Sequence, residues 1–206
     1  MKTKERILNT ALKLFNREGV DAVTVRHIAA KMNISHGNLC YHYPNKNLVI
    51  FDLYLCLVKE FNELMAGLQK TAIDLSLVLA SNNHSFDTFY KYRFLFLDFT
   101  HIMRENPAIK KHYRQLVKIR KEQFAWLISK LVWSGDFKKE ALPGQYDSLL
   151  EQVFIIADFW LPSSEILFEG KETDRIPHYR NLMQALIVPI LTPKGMKKFI
   201  QLSNQN

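Results

Sequence analysis

Between Thr24 and Lys46 the chain has room for two short helices and a tight turn, and for little else. Val25, Ile28, Ala29 and Met32 recur at helical spacing. Thr24 stands just ahead of them, and its hydroxyl can accept an early backbone N–H. Asn33 follows the run. After glycine, Asn best tolerates the left-handed conformation by which a chain leaves a helix sharply. Ile34 can plug the core at the turn, and Ser35 is a natural N-cap for a helix beginning at His36. Pro44 then disfavours helical geometry at Tyr43. The spacing predicts helices over 25–32 and 36–43. In front of them, residues 4–18 place Ile7, Leu8, Ala11, Leu12, Leu14 and Phe15 on one face, closed by Gly19. Three helices whose last two meet at a tight turn form a helix-turn-helix, which lays its final helix in the major groove of DNA.

The chemistry of "HGNLCYHYPNK" suits that use. Gly37 lets the backbone approach closely, and Leu39 can anchor the helix to the core. His36, Asn38, Tyr41, His42 and Tyr43 offer donors and acceptors. Lys46 adds its charge to a helix N-terminus, a good phosphate site. Thr24, Val25, Arg26 and Ser35 complete the expected DNA-facing set. The chain carries a net charge of +8, and residues 1–46 hold five Lys and three Arg against one Asp and two Glu. A basic head on a nearly neutral body points to an anionic partner.

The rest of the 206 residues reads as helix. Asn45 can cap a long fourth helix from Lys46 that enters a bundle. Further helices are expected over "SFDTFYKYRFLFLDFTHIMREN", "PAIKKHYRQLVKIRKEQFAWLISKLVWSG", "QYDSLLEQVFIIADFWL" and "HYRNLMQALIV". The third should break or kink at Pro162, and the fourth has Pro177 at its start. A last short helix takes Thr192 as N-cap and Pro193 as its first residue. The fold class is therefore all-α: a helix-turn-helix domain over 1–46 and a helical body over 47–206. Cys40 and Cys56 have no paired or metal-ligand spacing, so a reduced cytoplasmic chain is the expectation, with neither metal nor cofactor. The N-terminus has no signal-peptide apolar core, and no apolar run is long enough to span a bilayer.

The segments "ILNTALKLFNREG", "TVRHIA" and "ISHGNLCYHYPNK" together resemble the tetracycline-repressor (TetR/AcrR) family of bacterial transcription regulators. The resemblance is specific over residues 5–50 and architectural beyond them. The family pattern has tyrosine where this chain has Cys40, and glycine where it has Asn33. Tyr41 and Tyr43 are candidates to supply the missing hydroxyl. The resemblance implies a homodimer on a near-palindromic operator in double-stranded DNA, released by a small effector held in the C-terminal domain.

For the effector the expected contacts are Phe94, Asp98, His101, Gln123, Trp126 and Phe154, which set a few polar groups among apolar walls. Each aromatic has the plainer reading of bundle core. Asp98, His101 and Glu105 also share a helical face, as a metal site or simply a polar stripe. For the dimer, Leu149, Val153, Ile156 and Trp160 recur at helical spacing, with Leu182 and Leu186 on the next helix. Two other functions compete: a helical-bundle enzyme, against which the chain shows no P-loop, dinucleotide, nucleophile-elbow or zinc-protease motif, and a protein-only adaptor, which leaves the basic head without a use.

Overall fold

The computed structural model describes residues 3–203. Over these residues the fold is all-α. The helices are α1 (Thr3–Glu18), α2 (Val25–Lys31), α3 (His36–His42), α4 (Lys46–Gln69), α5 (Leu75–Lys91), α6 (Arg93–Leu97), α7 (Phe99–Glu105), α8 (Pro107–Trp133), α9 (Gln145–Leu167), α10 (Glu172–Ala185) and α11 (Pro193–Ser203). A 3-10 turn spans Val188–Ile190, and one isolated antiparallel bridge joins Phe137 to Leu191.

The stretch expected as one helix over 85–106 is three. α5 begins ten residues earlier, where the Asp74 carboxylate accepts the Leu77 N–H at 2.9 Å. The backbone then leaves the helical region at Tyr92 and again at Asp98. At the first break Asn16 of α1 replaces the lost helical partners. Its side-chain nitrogen donates to the Lys91 carbonyl at 2.8 Å, and its side-chain oxygen accepts the Phe94 N–H at 3.1 Å. A neighbouring helix thus stabilises a break that local spacing does not reveal. α9 runs through Pro162 to Leu167, and α10 starts at Glu172, so Pro177 lies inside it rather than at its start.

The chain divides into two compact units. One holds the residues up to Glu60 with Lys91–Tyr113. Its core gathers Ile7, Leu14, Phe15, Ile28, Leu39 and Ile50, and Phe15 stacks on Phe94 at 5.1 Å between ring centres. Tyr92 donates to the Glu60 carboxylate at 2.7 Å, and Tyr54 bonds His112 Nδ1 at 2.8 Å.

The other unit holds Phe61–Tyr90 and the residues from Arg114 onward. Leu75, Leu79, Leu131, Phe137, Leu149 and Leu191 form one of its cores, against which Met196, Phe199 and Leu202 of α11 pack. α11 is fastened at its start. α8 ends in a Schellman turn: Gly135 takes φ 76°, Asp136 N–H bonds the Leu131 carbonyl and Gly135 N–H bonds that of Val132. Thr192 N–H then donates to the Asp136 carbonyl at 3.0 Å, and its hydroxyl donates to the Gly135 carbonyl at 2.7 Å. That hydroxyl also caps α11 by accepting the Gly195 N–H at 3.1 Å. The fully buried Asp136 carboxylate receives Lys198 Nζ at 2.9 Å and the Ser134 hydroxyl at 3.1 Å.

Candidate nucleic-acid interface

The turn between α2 and α3 is built by local chemistry. Thr24 Oγ1 accepts the His27 N–H at 3.2 Å and Ser35 Oγ accepts the Asn38 N–H at 3.1 Å, so each helix has a hydroxyl cap. Asn33 sits at φ 55°, and Ile34 N–H reaches back to the Ala29 carbonyl while Asn33 N–H bonds that of Ala30. This is again the Schellman pattern, with Asn33 in the place usually taken by glycine. Leu39 is wholly buried and fixes the rotation of α3 about its axis.

With that rotation set, His36, Gly37, Asn38 and Tyr41 are exposed on α3, Tyr41 at 85%. Arg26 is exposed on α2, and Val25 is half-buried. Cys40 and His42 are half-buried; Cys40 Sγ lies 3.2 Å from His36 Nε2, and the Tyr41 ring meets His42 edge-on. Two members of the sequence-derived set are turned inward. Tyr43 is 2% exposed, and its hydroxyl donates to Asp52 Oδ2 at 2.7 Å. Its expected role as a base or phosphate contact is corrected to a brace between the end of α3 and α4, because the extended backbone at Tyr43 swings the ring to the core side. Lys46 Nζ donates to the Val20 carbonyl at 2.7 Å and so ties α4 to the turn after α1. Lys4 lies 5.2 Å above the Tyr43 ring.

Burial first, and the bond to Asp52 second, push the Tyr43 phenol above the usual tyrosine range. Burial and Glu60 do the same to Tyr92. A raised folded value means that the stabilisation is complete below the ordinary tyrosine range and is lost as pH rises through the raised value. The thermal midpoint should therefore hold up to about pH 9 and fall above about pH 11, less steeply in Tyr43→Phe. Tyr43→Phe should itself cost ~1.5–3 kcal/mol of stability, the scale of a hydrogen bond to a charged group. DNA sequence preference should not change; a changed preference in a binding competition would restore Tyr43 as a DNA contact.

The other sequence-derived residues divide between the units. Phe94 is buried against Phe15, Asp98 stands at the α6–α7 break, and His101 is exposed with Nε2 3.4 Å from Asp21, all in the first unit. Gln123 accepts a bond from the buried Arg120 at 2.6 Å, Trp126 lies under Lys130, and Phe154 meets Phe124 edge-on, all in the second. Among the described residues no group of three His, Cys, Asp or Glu is disposed to hold a metal, and no helix is long and apolar enough to cross a membrane.

On α9, Leu149 and Trp160 are buried inside the second unit, and Val153 and Ile156 are half-buried. Burial within one chain corrects the expectation that Leu149 and Trp160 face a second copy. The outer face instead shows Ile155, Phe159 and Ile166, the last 81% exposed. Leu182 of α10 is exposed, whereas Leu186, the residue after the helix, is half-buried against the core of its own chain. Spacing alone does not reveal the outer stripe, because α9 is apolar on both sides.

A model of bacterial regulatory proteins of the tetR family matches residues 7–51, and a model of the TetR bacterial transcriptional repressor matches residues 57–199. The chain belongs to the TetR family. Members of this family are transcriptional regulators and not enzymes. The head match covers α2, α3 and their turn, the elements whose caps and exposed face are described above. The biofilm operon icaADBC negative transcriptional regulator IcaR of Staphylococcus epidermidis is 32% identical over 95 residues, 46% of this chain and 45% of that protein. The match thus spans about half the length of these curated relatives. Among solved structures, a TetR-family transcriptional regulator from Marinobacter aquaeolei superposes with a TM-score of 0.87 at 24% identity, covering 100% of this chain and 98% of the other. A gamma-butyrolactone receptor does so with a TM-score of 0.71 at 13% identity, over 98% and 94%. At these identities the superpositions establish the fold.

Proposed function

We propose that the protein is a homodimeric DNA-binding repressor that releases a near-palindromic operator when a small, mostly apolar effector binds its C-terminal body. The observation that carries this reading is the exposed face of α3. His36, Gly37, Asn38 and Tyr41 stand clear of the core on a helix locked by a buried Leu39 and a Ser35 cap. A helix held this way can place base-reading groups reproducibly. The head is residues 1–46 and the regulatory body 47–206, working in the cytoplasm, where the DNA is. Thr24 and Ser35 spend their hydroxyls as caps, so their share in DNA binding is to hold helix N-termini toward phosphates.

A twofold-symmetric dimer presents two equal recognition helices, hence the near-palindrome. Effector and operator then compete through conformation: the effector prefers a dimer whose heads are spaced wrongly for successive major grooves. A structural neighbour is a gamma-butyrolactone receptor, which supports a small-molecule role for the body, and the biofilm regulator is a negative one, which supports repression.

Selecting duplexes from a random pool with the purified protein tests the reading. The expected result is a near-palindromic consensus bound with a steep, linear fall in log affinity against log salt. Recovery of no consensus, with salt-insensitive binding, would return the chain to a protein-only role. On the selected duplex, Asn38→Ala should lose ~1–3 kcal/mol of discrimination against mismatched sites. Equal losses on operator and random DNA would place Asn38 on phosphate instead.

A further inference from the structure

The near neutrality of the body conceals a strong local charge. Residues 107–121, the first part of α8, hold six Lys and Arg and no Asp or Glu, so the remainder of the body is net acidic. Five of the six share a face. At 3.6 residues per turn, Lys110, Lys111, Arg114, Lys118 and Lys121 fall within about 100° of arc and extend over about 16 Å of rise. The sixth, Arg120, is buried on the core side with Ile109 and Leu127, where it donates to Gln123 and to Asn62, each at 2.6 Å. Lys110, Lys111, Arg114 and Lys118 are exposed, and among the described residues no carboxylate pairs with any of them. Lys121, at the end of the row, donates to the Glu151 carboxylate of α9.

A solvated helix face ordinarily mixes both signs, because like charges one turn apart weaken a helix. Lys110 with Arg114, and Arg114 with Lys118, are such pairs. Lys110 and Lys111 also stand just inside the helix N-terminus, the end whose dipole repels cations. The row therefore works against the helix that carries it, and an anionic partner would reverse that sign. The face also selects the anion. Between 107 and 125 the same arc holds only Pro107 and Ala125 besides its cations, so it has no large apolar side chain. A helix binds an anionic bilayer by sinking apolar residues beside its cations, and a protein partner needs an aromatic or aliphatic anchor. Duplex DNA needs neither, since a row of Lys and Arg alone can hold its backbone. The row also starts near the DNA-binding head. Lys110 and Lys111 belong to the same compact unit as α3, and the next residue, His112, bonds Tyr54 of α4 at 2.8 Å.

We propose that Lys110, Lys111, Arg114 and Lys118 form a second DNA-contacting surface, outside the helix-turn-helix, which holds the phosphate backbone of duplex DNA without reading its sequence. This goes beyond the function proposed above, which places DNA on the head alone, and rests on it for the identity of the anion. The two surfaces divide the work: α3 supplies discrimination, and the α8 row supplies affinity common to all sequences.

Salt titrations of the full-length protein test it on mixed-sequence duplex DNA and on the selected operator. The fourfold variant Lys110→Gln, Lys111→Gln, Arg114→Gln, Lys118→Gln is compared with a control of equal charge, Lys70→Gln, Lys139→Gln, Lys171→Gln, Lys197→Gln, whose exposed lysines are scattered over other parts of the chain. The row variant should flatten the slope of log affinity against log salt by about 2–4 units, since each phosphate contact carries about 0.9. The control should flatten it by less than about one unit. The loss should be equal on the two duplexes, so that the ratio of operator to mixed-sequence affinity holds within about twofold. Arg114→Gln alone should flatten the slope by about one unit, a readout that survives failure of the fourfold variant to fold.

A slope flattened no more than by the control would overturn the proposal. So would a parent that binds no duplex at low salt, or a loss confined to the operator. Binding to phosphatidylglycerol vesicles that the row variant abolishes, with its DNA slope still that of the parent, would give the row to a membrane instead. The same titrations separate this surface from the function proposed above. Mixed-sequence binding that needs the row, with no consensus selected from a random pool, leaves the row standing and defeats the operator reading. A near-palindromic operator whose salt slope ignores the row variant does the reverse.

Discussion

Ile155→Glu should give a folded protein that sediments as a monomer and binds its operator at least about a hundredfold more weakly than the parent. Ile155, Phe159 and Ile166 project from one side of α9, and Leu182 projects from α10, which packs against it. An exposed apolar stripe on two packed helices is the surface a second copy would cover. The same stripe from a twofold mate is self-complementary, so each residue meets an apolar neighbour. A glutamate placed in the middle must be buried without a partner or keep the two copies apart, and the second costs less. Loss of the dimer then removes the second head from the operator. Two linked heads gain ~10²–10⁴ in avidity over one, and that factor is what disappears. Leu142→Glu is the control, because Leu142 is also exposed but lies in the segment before α9. A dimer that survives Ile155→Glu at micromolar concentration would place the interface elsewhere.

How far a sequence reveals such surfaces depends on how local the deciding physics is. The α2–α3 turn was legible because Thr24, Asn33, Ser35 and Pro44 act through their own backbone and immediate neighbours. Position on α3 followed from Leu39, the one residue of that helix that is wholly buried. Tyr43 was misplaced because its role depends on Asp52, nine residues away and on another helix. The break after α5 was invisible for the same reason: it is held by Asn16, across a sequence separation of 75.

α9 shows a second kind of failure. Its inward face (Leu149, Trp160) and its outward face (Ile155, Phe159, Ile166) are both apolar, so periodicity detects a helix without telling which face its own core takes. The buried side-chain nitrogens of Asn82, Trp160 and Arg175 that lack a hydrogen-bond partner lie beyond sequence reasoning altogether. Each is an ordinary residue type, and only its surroundings make it unusual.

Gly195→Ala sets two effects of opposite sign against each other. Gly195 lies in the first turn of α11, where alanine is the better helix former by ~1 kcal/mol. On propensity alone the substitution should stabilise. A methyl at this position, however, would stand 2.1 Å from the Asp136 carbonyl oxygen. The obstacle is backbone held by the Schellman turn at the end of α8, so it does not rotate away as a side-chain tip would. The helix start must retreat by about an ångström or more, a typical overpacking cost of ~1–3 kcal/mol. Retreat also strains the Thr192 N–H bond to that same carbonyl and draws both α11 ammonium groups, Lys194 (3.8 Å) and Lys198 (2.9 Å), from the buried Asp136 carboxylate. A buried charge that loses its partner adds a further penalty of the order of 3 kcal/mol unless water enters. The steric and electrostatic costs exceed the propensity gain, so the variant should melt several degrees lower. α11 should also become the first site of proteolytic cutting as Met196, Phe199 and Leu202 leave the core. Gly195→Ser should behave alike, whereas Gly67→Ala, on an open stretch of α4 with nothing near the added methyl, should be neutral or mildly stabilising. A higher melting temperature for Gly195→Ala would show that α11 rests on its own helical propensity and not on the Asp136 clamp.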